Sequence, residues 1–180
     1  MTQPAPRDPR YPVGPFEGLA CPLTTGERAD RMDVLEAHPA RVRSLVVDLS
    51  GAQLDAPYRE GGWTLRQLTH HLADSHLNAY CRFRLALTED HPTIRPYDQD
   101  AWARLVDARE APVEGSLELL ESLHGRWVLL LRSMEPGDFA RTLRHPEIGD
   151  VTLDYMLDSY AWHCAHHEAH LSGARVREGW

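Results

Sequence analysis

The chain contains no lysine: all nineteen basic residues among its 180 are arginines. That points to coding bias more than to a function. With 27 acidic residues the formal net charge is −8, and no basic stripe runs along the chain, which argues against a binder of nucleic-acid backbones. Cysteine is scarce and odd in number. Cys21, Cys81 and Cys164 lie far apart with no C-x-x-C between them, as expected of reduced thiols rather than a disulfide framework. No apolar run approaches a membrane span, and the N-terminus has no signal-peptide block. Both absences lead us to expect a cytoplasmic protein with no membrane partner. There is no internal repeat, low-complexity tract or alternating strand series. A hydrophobic content of 42% over this length fits one soluble domain with its own core.

What the chain has is histidine. Four of its eleven histidines fall between His163 and His170, and three more, His70, His71 and His76, sit together upstream. Imidazole is a neutral base near pH 7 and binds borderline divalent metals. On a helix, residues four apart share a face, so His163/His167 and His166/His170 are each spaced to hold one ion. A third histidine from the upstream segment would complete a three-histidine site. Both clusters lie inside periodic, amphipathic segments, which excludes an expression tag.

Apolar periodicity predicts four long helices. The first runs from about Glu27 to Leu49, capped by Thr24 or Thr25, with Pro39 expected to kink or break it. The second runs from a Thr64 cap to about Thr88. The third spans about Gly115 to Met134, and the fourth Thr152 to Arg177. A short helical piece, Tyr97 to Val106, lies between the second and third. The stretch 140–153 reads as a hairpin-like excursion. The expected fold is all-α: an antiparallel four-helix bundle over residues 24–180, with a crossover between the second and third long helices. Residues 1–23, rich in proline, form an extended arm that could pack on its own domain or on a partner subunit. Trp63, Trp102, Trp127 and Trp162 are expected in the core.

At about 100° per residue, His71 falls beside the apolar face of the second helix and His70 nearly opposite, as a solvated or second-layer residue. His71 is therefore the better ligand candidate. On the fourth helix all four histidines fall within about 100° of arc, so the wheel leaves both pairs open.

Several long motifs carry a resemblance. Arg59-Glu60-Gly61-Gly62-Trp63-Thr64-Leu65-Arg66-Gln67, then His70-His71-Leu72-Ala73-Asp74-Ser75-His76, resemble the second helix of the YfiT-like branch of the DinB superfamily. Arg95-Pro96-Tyr97-Asp98, His124-Gly125-Arg126-Trp127, His145-Pro146-Glu147 and the run from Tyr160 to Leu171 extend the likeness from Tyr11 to about Gly173. The resemblance implies a four-helix bundle holding one zinc or nickel ion per chain through one histidine of the second helix and two of the fourth. Carried over, these are His71, His166 and His170. It also implies a homodimer and a metal-dependent hydrolase acting on a small-molecule substrate. Related members transfer low-molecular-weight thiols such as bacillithiol to electrophiles.

Three neutral histidines leave open positions on a divalent ion, the mark of a catalytic rather than a structural site. An open position can activate water or hold a thiol as its nucleophilic thiolate. Hydrolysis and thiol transfer thus both remain open, alongside a non-catalytic, stress-related metal-binding dimer. His167-Glu168-Ala169-His170 is H-E-x-H, one residue short of the zincin H-E-x-x-H, so a metalloprotease is excluded. Candidates for catalytic roles are Glu168, Asp74 and Tyr97. Each has a plainer reading: a solvated helix residue, an exposed acid paired with arginine, and a turn. Cys164 reads as a small buried residue rather than a ligand.

Overall fold

The computed structural model describes residues 8–180; the first seven residues of the expected arm lie outside the described residues. The long helices are α1 (Thr25–Val46), α3 (Leu65–Thr88), α6 (Glu114–Arg132) and α7 (Leu153–Glu178). Short helices α2 (Gly51–Leu54), α4 (Gln99–Ala103) and α5 (Val106–Glu110) occupy the links. Thr24, Ser50 and Thr64 begin α1, α2 and α3 with reciprocal capping boxes to Glu27, Gln53 and Gln67, each satisfying amide N–H groups that a helix start leaves unpaired. The excursion before α7 is a two-stranded antiparallel hairpin, β1 (Thr142–His145) and β2 (Gly149–Thr152), with Leu143 opposite Val151.

α1 packs against α6 and α7, and α3 packs against the same two. Two apolar clusters fill the interior. One holds Leu35, Phe83, Trp127 and Leu157, the other Val42, Leu68, Leu120 and Leu171. The chain meets these clusters in one order along α1 and α7 and in the reverse order along α3 and α6. Two helices therefore run each way. α3 and α6 run the same way, so the link through α4 and α5 returns along the bundle as the expected crossover. At the seam between the clusters each long helix contributes buried histidine: His38 from α1, His76 from α3, His124 from α6 and His167 from α7.

Pro39 does not break α1; it lies inside a continuous helix. Proline lacks the N–H that would bond the carbonyl four residues back, here that of Leu35. His124 takes the missing place, its Nδ1 donating to the Leu35 carbonyl at 2.6 Å. The tryptophan expectation is corrected in part. Trp127 is fully buried, whereas Trp102 is 38% exposed against Tyr97, and Trp63 and Trp162 are half-buried.

Candidate metal centre

α3 and α7 bring His71, His163 and His167 together, with ligand-capable atoms of all three within 4.8 Å of one another. His71 Nε2 and His163 Nε2 stand 3.4 Å apart. Two nitrogens each about 2.05 Å from one tetrahedral zinc are about 3.3 Å apart, so the spacing suits two ligands of a single ion. The other ring nitrogens of the α7 pair are engaged. His163 Nδ1 meets His76 Nε2 at 3.1 Å, and His167 Nδ1 meets His170 Nδ1 at 3.3 Å. What remains on both rings to meet an ion is Nε2, that of His163 facing His71 Nε2. The donor set therefore fits a divalent ion of zinc or nickel type.

The three rings line a cavity of about 460 Å³, with Tyr58, Arg59, Trp63, Asp100 and Trp162 among its other walls. The loop from Ala56 to Gly62 folds over this opening. Gly61 has φ +65°, and a Cβ on Gly62 would come within 2.8 Å of Arg59 Cγ and 3.1 Å of the Tyr58 ring. Glycine at this position is what lets the two side chains close on the cavity. Asp100, the one carboxylate among the lining residues, accepts from Trp63 Nε1 at 3.1 Å.

Burial sets the protonation of this region. His71 is pushed down to about 4 by burial and then by neighbouring His166, and His166 to about 4 by burial and then His170. His163 and His167 are held well below the usual histidine value, first by burial and then by the surrounding rings. Neutral imidazoles, the form that binds metal, are favoured throughout.

His166 and His170, the pair the resemblance implied, stand with His167 in a neighbouring group of three. His71 with His166 and His170 is not among the groupings within 4.8 Å formed by the described residues. The arm closes over this second group. His170 Nε2 donates to the Pro9 carbonyl at 3.1 Å, Trp162 Nε1 donates to the Gly14 carbonyl at 3.1 Å, and Tyr11 lies against His166. The described part of the arm thus packs on its own bundle. His70 is buried rather than solvated, bonded to Ser116 Oγ at 2.7 Å and to the Ala111 carbonyl at 3.2 Å.

The carboxylate and phenol candidates lie elsewhere. Glu168 pairs with His38 Nδ1 at 2.6 Å and Arg41 at 3.5 Å. Asp74 is half-buried and raised to about 6, by desolvation first and then by Asp107. Tyr97 is raised to about 12 by desolvation, beside Tyr160 and Ser75, and lines a separate cavity with Asn78 and Trp102. Cys164 is fully buried and grouped with His38 and His76, its thiol pushed up by burial. The residues that sequence reasoning undervalued are His38, His76 and His124. For His124 a signal existed: a proline inside a helix advertises a carbonyl in need of a donor.

Comparison with known proteins agrees with this architecture. The sequence profile of the DinB superfamily matches residues 34–171. A protein of Bacillus subtilis, named "Putative metal-dependent hydrolase YfiT", is 46% identical over 171 residues, covering 94% of this chain and 96% of its own. A relative from Bacillus mycoides, likewise named "Putative metal-dependent hydrolase", is 46% identical over 175 residues, covering 97% of this chain and 99% of its own. The solved structure of Bacillus subtilis YfiT, described as having "an unusual four-helix bundle topology", superposes with a TM-score of 0.92 at 44% identity, covering 96% of this chain and 98% of that one. TT2238, a four-helix bundle protein, shares the fold at 23% identity and a TM-score of 0.54, over 78% and 94% of the two chains.

Proposed function

The chain belongs to the DinB superfamily, and on that premise we propose that it is a metal-dependent hydrolase whose divalent ion, zinc or nickel, is held by Nε2 of His71, His163 and His167. One observation carries the reading: these three rings converge on the wall of an open cavity with their ligand atoms within 4.8 Å. The alternative set of His71, His166 and His170 lacks that convergence. When bound, an ion with three imidazole ligands and an open position acts as a Lewis acid and lowers the pKa of water toward ~7.

The rest of the site is protein chemistry. Tyr58, Trp63 and Trp162 give the cavity apolar walls that hold the body of a small substrate and thin out its water. Arg59 offers guanidinium donors to a polar or anionic substrate group. Asp100, oriented by Trp63, is positioned on the cavity wall to accept a proton. Glu168 takes no part in this reading, because His38 and Arg41 already occupy its carboxylate.

Elemental analysis of untagged protein tests the ligand set. About one zinc or nickel per chain is expected, lost in His71→Ala, His163→Ala and His167→Ala but retained in His166→Ala. Retention in His163→Ala with loss in His166→Ala would instead select the pair implied by the resemblance. Metal-loaded protein is then assayed on model esters and amides, with and without a low-molecular-weight thiol and an electrophile. Turnover that depends on the thiol would replace the hydrolase reading with thiol transfer.

A further inference from the structure

Each α7 histidine in the proposed ligand set ends a chain of rings that starts at a backbone carbonyl. In the first chain, the Leu35 carbonyl accepts from His124 Nδ1 at 2.6 Å, and His124 Nε2 lies 2.7 Å from His76 Nδ1. His76 Nε2 lies 3.1 Å from His163 Nδ1. In the second, the Pro9 carbonyl accepts from His170 Nε2 at 3.1 Å, and His170 Nδ1 lies 3.3 Å from His167 Nδ1.

A carbonyl only accepts, and a neutral imidazole carries one proton. His124 must therefore hold its proton on Nδ1 and present Nε2 as a bare lone pair. His76 must then donate from Nδ1, and its bare Nε2 requires His163 to donate from Nδ1. His163 is left with Nε2 unprotonated, facing His71 Nε2 at 3.4 Å. The same logic runs through His170, which protonates His167 on Nδ1 and bares its Nε2. Each link is a nitrogen–nitrogen contact of 2.7–3.3 Å, which requires one protonated and one bare nitrogen.

We propose that His124, His76 and His170 are positioning residues that fix His163 and His167 as Nδ1–H tautomers, so that both rings present bare Nε2 atoms to the ion before any metal arrives. Free histidine prefers the opposite tautomer, with its proton on Nε2, and a ring in that state would have to shed or move the proton before binding. The first chain depends on Pro39, whose missing N–H leaves the Leu35 carbonyl for His124. The second depends on the N-terminal arm. The proposal rests on the ligand set put forward above. Ring partners of this kind raise ligand basicity and orient the ring, and their loss typically weakens metal binding about 10–100-fold.

The test has two arms on the full-length chain. Long-range 1H–15N correlation spectra of metal-free, 15N-histidine-labelled protein report the tautomer of each ring. Nδ1–H is expected for His163 and His167, and Nε2–H on either would overturn the chain that ends there. Zn2+ affinity is then measured by competition with a chromogenic chelator. His124→Phe and His170→Leu, which remove the acceptor, should weaken binding about 10-fold or more. His124→Gln and His170→Asn, which return an acceptor oxygen, should recover most of it. Unchanged affinity and unchanged tautomers in the acceptor-free variants would overturn the positioning role. If the acceptor-free variants fail to fold, the spectra of the unaltered protein still decide. Failure of unaltered protein to bind Zn2+ while the expected tautomers are seen would overturn the ligand set and leave the ring chains standing.

Discussion

The two apolar clusters and the histidine seam between them are built on opposite principles. In the clusters, leucines such as Leu68, Leu120 and Leu157 are fully buried and interlocked by shape. There, any apolar side chain of similar volume does nearly as well. In the seam, His76 and His124 are nearly as deeply buried and His167 is buried too, but nearly every ring nitrogen has a partner at 2.6–3.4 Å. Exchange for an apolar side chain costs more there, because losing one ring leaves its neighbour's nitrogen buried and unpaired. His38 Nε2 and His166 Nδ1 are the buried histidine atoms without a hydrogen-bond partner among the described residues. The bundle therefore gains its stability from the clusters and concentrates specificity in one layer.

The largest expected effect breaks a cluster. Trp127→Ala removes a fully buried ring and should destabilise by about 3–5 kcal/mol, read from urea unfolding of metal-free protein. A similar midpoint before and after would mean that the cluster is not packed as described. Next is the charged pair at the start of α7. Asp154 is 3% exposed, accepts from Arg28 through two bonds of 2.7 Å and also accepts from the Leu23 amide. Asp154→Ala should cost about 3 kcal/mol, since it strands a partly buried guanidinium.

Acid probes the seam itself. His124 is held at about 3, chiefly by burial, against the ordinary 6.5. Below pH 6.5 the unfolded chain takes up a proton that the folded ring refuses. Its contribution is full above that pH and declines as pH falls toward 3. At pH 5 the loss from this one ring is about 2 kcal/mol. The urea midpoint of metal-free protein should fall between pH 7.5 and 5, and His124→Phe should flatten the slope. A flat profile in the unaltered protein would contradict neutral burial of the seam. Pro39→Ala sharpens the contrast between regions. It supplies an N–H that competes for the Leu35 carbonyl, so Zn2+ affinity should weaken while unfolding stability holds or rises. The smallest effect belongs to the surface. Asp33→Ala breaks an exposed 3.0 Å pair with Arg132 and should change stability by less than about 1 kcal/mol.

Helix starts were legible because a threonine followed three residues later by glutamate or glutamine satisfies its own cap locally; Thr24 and Thr64 needed nothing from the rest of the chain. The choice of His71 over His70 for the cavity was legible from one helical wheel, since both residues share one rigid helix. The choice between His163/His167 and His166/His170 was not. All four rings lie in one arc of α7, and what separates them is which neighbour each meets across the bundle: His163 and His167 group with His71 of α3, whereas His166, which lines the same cavity, groups with His167 and His170, and His170 bonds to the arm. Glu168 illustrates the same limit. Its place among histidines suggested the site, yet its carboxylate turns to His38 and Arg41 of α1.

The sequence by itself determined the four long helices, the crossover link, the hairpin before α7 and the concentration of histidine on α3 and α7. These follow from periodicity, caps and composition, all of which act within a few residues. Only the tertiary structure decided which rings converge, which protons they carry and which acids are excluded. Most of those outcomes depend on hydrogen bonds between residues about fifty to 160 apart, such as His76 to His124, His71 to His163 and Pro9 to His170. A buried imidazole takes its role from the partner that folding places beside it, and one helix's sequence does not name that partner.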